Sequence, residues 1–261
     1  FNMYQKINLL SFIIFILNYK NFIIIIYKIF LRIFDNKSKI SKEDNLIFIK
    51  NNLTTINEFC NNINKNLWIE AMDFKRKLDI DSKKILKNIE IDLGGGGAYD
   101  LVYFFTRIIK PKYVLETGVA AGYSSLSFLE AMEKNNEGVL FSSDFPYFRI
   151  KNPKKYIGIL VQKKYRNWNL YIKGDRFNIN EILNKLAKNK IDIIHYDSDK
   201  TYNGRKYFFN KVQNFINSKT LIIMDDIQDN SFFYEYIESK KPDKWKIFEF
   251  KKKYVGVILP N

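Results

Sequence analysis

This sequence is short of nearly everything that marks a secreted, zinc-bound or repeat protein. One cysteine, Cys60, and one histidine, His195, stand among its 261 residues. Counting ligands excludes a Cys/His zinc cluster, and a lone thiol cannot build a disulfide framework. Cys60, followed by Asn61 and Asn62, has no redox spacing either and reads as inert. The composition fits a reducing, cytoplasmic setting. Proline occurs 5 times and glycine 11, with no Pro-rich linker and no internal period, so collagen-like, solenoid and linker-rich architectures drop out. A hydrophobic content of 46% excludes a disordered chain. Acidic residues are in the minority, 28 against 43 basic ones, for a net charge of +15. Such a charge suits a nucleic acid or an anionic membrane. Lys, Asn and Ile crowd the whole chain, however, with no focused basic patch and no recognition motif, and a nucleic-acid partner is not expected.

Long uninterrupted apolar runs are also missing. The most apolar stretch, Leu9 to Phe34, is broken by Asn18, Lys20, Asn21, Lys28 and Arg32, short of the roughly 20 apolar residues that a membrane-spanning helix needs. On a helical wheel Ser11, Asn18, Asn21, Lys28 and Arg32 share one narrow polar arc, with Lys20 outside it. A helix of that kind either lies in a membrane interface with its basic groups snorkelling, or buries its broad apolar face in a homo-oligomer contact or against the rest of the chain. No small-residue cleavage site follows, so a cleaved signal peptide is not expected. Residues 1–40 read as this unit and 41–93 as a helical cap, with Ser41 and Asp44 capping a helix from Lys42 to Asn66 and a second amphipathic piece from Trp68 to Leu78. The remainder, 94–261, alternates short apolar runs with amphipathic segments, the pattern of an α/β doubly wound, mostly parallel sheet.

Within that alternation, Tyr113-Val-Leu-Glu-Thr-Gly-Val-Ala-Ala-Gly-Tyr-Ser-Ser125 reads as a buried strand that opens through a glycine turn into a helix. Gly118 and Gly122 let backbone approach a ligand where a Cβ would collide. The spacing is Glu-x-Gly-x-x-x-Gly, not the Gly-x-Gly-x-x-Gly that seats a dinucleotide pyrophosphate. Two later runs, Ile191 to Asp197 and Thr220 to Asp226, end in Asp197 and in Asp225-Asp226. In a parallel sheet these tips share one edge with the glycine turn, where ligands bind.

On these residues the chain from Gly94 to Leu259 resembles the S-adenosylmethionine-dependent methyltransferases with a Rossmann-like fold. Within them the likeness is to the metal-dependent O-methyltransferases that act on sugars and other small hydroxylated molecules, and more weakly to catechol and caffeoyl-CoA O-methyltransferases. The resemblance implies that Glu116, Gly118 and Gly122 hold the methionine part of the cofactor, that Ser124 is a further cofactor-binding residue, that Asp144 takes the ribose hydroxyls and that Asp175, in Gly174-Asp175, lies near the adenine. It implies a divalent ion, magnesium by the hardness of its oxygen ligands, on Asp197, Asp225 and Asp226. It also implies that Lys244 to Phe250 and Tyr254 to Leu259 form an antiparallel hairpin at the sheet edge.

Lys200, three positions past Asp197, is the candidate catalytic base, since an ammonium beside a divalent cation and a cationic cofactor is pushed toward its neutral form. His195 sits inside an apolar strand and reads as a packed histidine with a hydrogen-bond partner. Gly94-Gly-Gly-Gly97 reads as a turn whose backbone closes over the cofactor. The long insertion between Asp144 and Trp168, with Arg149, Lys151, Lys154, Lys155 and several aromatics, reads as a lid over the acceptor. The function expected is methyl transfer to a hydroxyl of a small molecule, a sugar or glycan precursor. The alternatives are metal-free or oxygen-inserting chemistry on the same fold, or a non-catalytic membrane-associated module.

Overall fold

The protein is described by a computed structural model that covers residues 9–35, 40–89, 91–145 and 152–261. Its frame is a seven-stranded sheet, β1 (Tyr113–Thr117), β2 (Val139–Ser143), β3 (Trp168–Tyr171), β4 (Ile193–Tyr196), β5 (Leu221–Met224), β6 (Trp245–Phe250) and β7 (Lys253–Ile258), in the order β3-β2-β1-β4-β5-β7-β6. The first five are parallel, and β7 pairs antiparallel with both β5 and β6. The strand order turns back between β1 and β4, and ligands of open α/β sheets bind outside that point. All four residues of β4 and of β5 are buried, as strands covered on both faces must be.

The helices are α1 (Leu9–Leu17), α2 (Tyr19–Ile33), α3 (Lys42–Asn51), α4 (Ile56–Leu86), α5 (Tyr99–Ile109), α6 (Tyr123–Asn135), α7 (Asp175–Leu186), α8 (Tyr202–Val212) and α9 (Phe232–Lys240). Residues of α4, α5 and α6 form one apolar layer with the sheet, through Trp68, Phe104 and Phe128. Residues of α7, α8 and α9 form the other, through Ile182, Phe208 and Phe233.

Several boundaries differ from the sequence reading. The helix expected from Lys42 to Asn66 is two, because Leu53 bridges to Ile247 and the Thr54 N–H donates to the Ile247 carbonyl at 2.8 Å. A sheet-edge contact there outcompetes helix continuation. The break expected between Asn66 and Trp68 falls at Asn64, whose backbone is non-helical and whose Oδ1 accepts from the Leu67 N–H at 3.0 Å. Strand β3 starts at Trp168 and α7 at Asp175. Helix α9 was not anticipated.

Helix α4 is fastened by Glu70, which accepts from Tyr103 at 2.7 Å and Arg107 at 2.8 Å on α5 and from Lys134 at 3.1 Å on α6. Burial alone would raise this carboxyl, but the hydrogen bonds from Arg107, Tyr103 and Lys134 outweigh it and bring it down to about 2. A depressed carboxylate contributes stability that is present above its unfolded value and is lost as pH falls toward the folded one. Glu70→Gln should therefore lower the melting temperature at neutral pH and leave it nearly unchanged below about pH 2, where both proteins carry a neutral group. A pH series of thermal melts checks this, and parallel curves for the two proteins would contradict it.

Candidate active site

The turn after β1 is shaped by backbone that only small residues allow. Gly118 has φ +85°, and a Cβ there would lie 2.4 Å from the Asp197 carbonyl oxygen, so the tips of β1 and β4 touch directly. Gly122, at φ +99°, precedes α6, and its Cβ would lie 2.9 Å from Gly158 Cα. Between them Ala120 also adopts a positive φ of 49°, a left-handed conformation that costs an L-residue about 1–2 kcal/mol. Its N–H donates to Asp144 Oδ2 at 2.7 Å, which ties the turn to the end of β2. Asp175 closes the next link, accepting from Ser143 and Ser198 at 2.6 Å each.

A cleft of about 500 Å³ opens above these tips, and Gly118, Ser124, Asp144, Asp175, Asp197 and Lys200 all line it. Gly94 to Gly97 form part of its wall, where the sequence reading placed a closing strap. Phe145 lines it too, but residues 146–151 of the expected acceptor lid, with Arg149 and Lys151, lie outside the described residues.

Other expected site residues are placed elsewhere. Glu116 is fully buried beneath the turn, where its carboxylate accepts from Ser124 and Ser142 at 2.6 Å and from Ser125 at 2.7 Å. It braces the turn from below and does not face the cleft. Gly122 is likewise absent from the lining, because it packs on Gly158. Asp225 turns inward to His195, with Nε2 and Oδ2 2.6 Å apart in the core. His195 thus has the partner expected of it. Burial would lower the imidazole, but the hydrogen bond and charge of Asp225, with Glu116 and Asp197 nearby, leave it raised. Asp226 takes a left-handed φ of 54° and pairs with Lys200 and, at 3.1 Å, with Lys253.

This arrangement does not fit the divalent ion expected on Asp197, Asp225 and Asp226. Lys200 Nζ stands between Asp197, at 2.7 Å, and Asp226, while Asp225 is committed to the histidine. Among the described residues no group of three His, Cys, Asp or Glu side chains is placed to hold a metal. A tethered ammonium sits where the carboxylates would need to converge on an ion, and its charge opposes a second cation. Burial and the nearby Asp225 lift Asp197 above the usual carboxylate range, although Lys200 and His195 pull the other way.

A glycine turn, acidic tips and a cleft at the reversal of strand order mark the ligand site of an open α/β sheet, and residues 115–227 match the model of a methyltransferase-domain family. That segment, under half of the chain, is similar to a methyltransferase domain. Solved structures share its Rossmann-like fold. The O-methyltransferase TomG from Streptomyces achromogenes, involved in tomaymycin synthesis and solved in complex with SAM, is 12% identical with a TM-score of 0.53, over 70% of this chain and 89% of that one. A Staphylococcus aureus protein assigned by inference as a caffeoyl-CoA O-methyltransferase is 14% identical with a TM-score of 0.53, over 74% and 98%. A Klebsiella pneumoniae protein, similarly assigned as an O-methyltransferase, is 15% identical with a TM-score of 0.51, over 70% and 90%. No curated protein matches the chain by sequence.

Some contacts that shape the site escaped the sequence reading. Arg205 of α8 is 1% exposed, and its Nη2 donates to the carbonyls of Asp225 at 3.0 Å and Asp226 at 2.9 Å, pinning the tip of β5. Gly97 lies so close to Asp225 that a Cβ would fall on its carboxylate. Asp35, past the end of α2, accepts from the Tyr202 and Asn203 N–H groups at 3.1 Å and so caps α8 beside Lys200. All are contacts between parts distant in sequence, and no local motif announces them.

Proposed function

We propose that the protein transfers a methyl group from S-adenosylmethionine to a hydroxyl of a small molecule, a sugar or glycan precursor. The observation that carries this reading is the meeting of Gly118, Asp144, Asp175, Asp197 and Lys200 on one cleft at the tips of four parallel strands. The bound donor supplies an electrophilic methyl group on a sulfonium. Gly118 and Ala120 give backbone access, Asp144 offers a carboxylate to the ribose hydroxyls, and Asp175 with Ser124 completes the donor end.

Proton removal falls to Asp197 and Lys200 together. While Lys200 donates to two carboxylates its ammonium has no lone pair, so Asp197 accepts the hydroxyl proton and Lys200 holds the resulting charge. The upward shift of Asp197 moves it toward the range where a general base is effective. Positioning of the oxygen in line with the sulfonium carbon contributes the rest of the rate. Carboxylates and a cation at this end of the cleft, with Asp199 and Tyr207 beside them, suit an acceptor with several hydroxyls.

Calorimetric titration with S-adenosylmethionine should give saturable binding, and Asp144→Ala should weaken it by about ten- to a hundredfold through loss of charge-assisted hydrogen bonds. Labelled donor with a panel of sugar nucleotides then reports transfer. Absence of heat at millimolar donor would exclude the enzyme reading and leave a scaffold.

A further inference from the structure

Helix α2 lies outside the residues matched by the family model, yet it supplies part of the cleft wall. Ile24, 8% exposed, lines the cleft, and a Cβ on Gly174 would meet its Cγ2 and Cδ1 at 3.8 and 3.9 Å. Phe145 Cδ2 would lie 3.3 Å from the same point, so two apolar side chains flank one backbone position that carries none. The helix is pinned from its far end. Asp35 accepts from the Tyr202 and Asn203 N–H groups, and Asn203 Nδ2 donates to the Phe34 carbonyl at 3.4 Å. A polar tether at the start of α8 and an apolar contact at the start of α7 thus hold Ile24 in the wall.

The covalent order of the donor decides which part of it reaches this spot. With the methyl group at Asp197 and Lys200 and the ribose hydroxyls on Asp144, the base, joined to the far side of the ribose, lies beyond Asp144. Gly174 is the neighbour there, its N–H donating to the Asp144 carbonyl at 3.0 Å, and Asp175 follows it. That end of the cleft offers two apolar side chains beside a carboxylate. Such a set suits a flat ring that carries an amino group, since apolar groups cover its faces and a few polar groups fix its orientation. We infer that Ile24 of α2 packs, together with Phe145, against the adenine of S-adenosylmethionine and sets the affinity for the donor. This inference rests on the reaction proposed above and extends its donor site to the N-terminal helices.

The test is calorimetric titration of the full chain with S-adenosylmethionine and with 5′-methylthioadenosine, which keeps the base and lacks the amino-acid end. Ile24→Ala should raise the Kd for both by about five- to twentyfold, as the loss of a few buried methylene contacts does, and Ile24→Leu should restore most of the affinity. Ile25 is the control, being equally buried on α2 without lining the cleft. Ile25→Ala should bind both compounds close to the wild-type Kd. Should Ile24→Ala fail to fold, Ile24→Val makes the same comparison with a smaller rise of about threefold. An Ile24 variant that binds the donor like the wild type, an equal loss in Ile25→Ala, or a loss that 5′-methylthioadenosine does not share would overturn the inference and leave the reaction standing. A wild-type chain that takes up no S-adenosylmethionine would overturn the reaction itself, and this inference with it.

Discussion

Replacing Lys200 by methionine should lower kcat by about a hundred- to ten-thousandfold, the range for loss of an acid–base or charge-stabilising group, and leave the Kd for S-adenosylmethionine close to the wild-type value. The split follows from placement. Lys200 stands at the β4 and β5 tips between Asp197 and Asp226, whereas Asp144 and Asp175 stand at the ends of β2 and β3. Methionine keeps an unbranched stem one heavy atom shorter and removes the charge, so Asp197 and Asp226 lose the cation that separates them. Thorough chelation should leave the wild-type rate unchanged, because Lys200 and His195 already engage the three carboxylates. Single-turnover rates with labelled donor, beside calorimetric Kd values, measure both effects. A Kd that rises in step with the fall in kcat would move Lys200 to the donor end, and a rate abolished by chelation and restored by magnesium would return the carboxylates to an ion.

The second large effect belongs to Gly118. Valine there should destabilise the fold by about 2–5 kcal/mol, combining the cost of a left-handed conformation with that of overpacking, and should abolish detectable binding of S-adenosylmethionine. The added Cβ meets the Asp197 carbonyl oxygen at 2.4 Å, so either the β1 turn or the β4 tip must move, and both line the cleft. Gly95→Ala is the control, since its Cβ meets nothing within 4 Å. That variant should melt with the wild type. Urea titration of both proteins separates the outcomes, and a Gly118→Val protein as stable as Gly95→Ala would remove the argument from close approach.

The parallel sheet was legible because its strands are short apolar runs ending in Glu116, Ser143, Asp197 and Asp225, and because Gly118 marks a turn where the tips of β1 and β4 touch. Side-chain direction was less legible. Glu116 and Asp225 sit where ligands would be sought, yet Glu116 is drawn inward by three serine hydroxyls, one of them on β2, and Asp225 by a histidine on β4. A one-dimensional pattern places a residue at a strand end; its hydrogen-bond partners on other strands decide whether it turns to solvent or to the core. The break at Leu53 has the same cause, because its competitor, Ile247, lies far along the chain.

Arg205 gives the acidic rim a stiffness that its loop position would not. With one guanidinium clasping two successive carbonyls from within α8, the ends of β5 and the helix move as one body, and the charged side of the cleft acts as an anvil. Room for a substrate to enter is then left to other parts of the wall, among them Gly94 and Gly95, where an added Cβ would meet nothing within 4 Å.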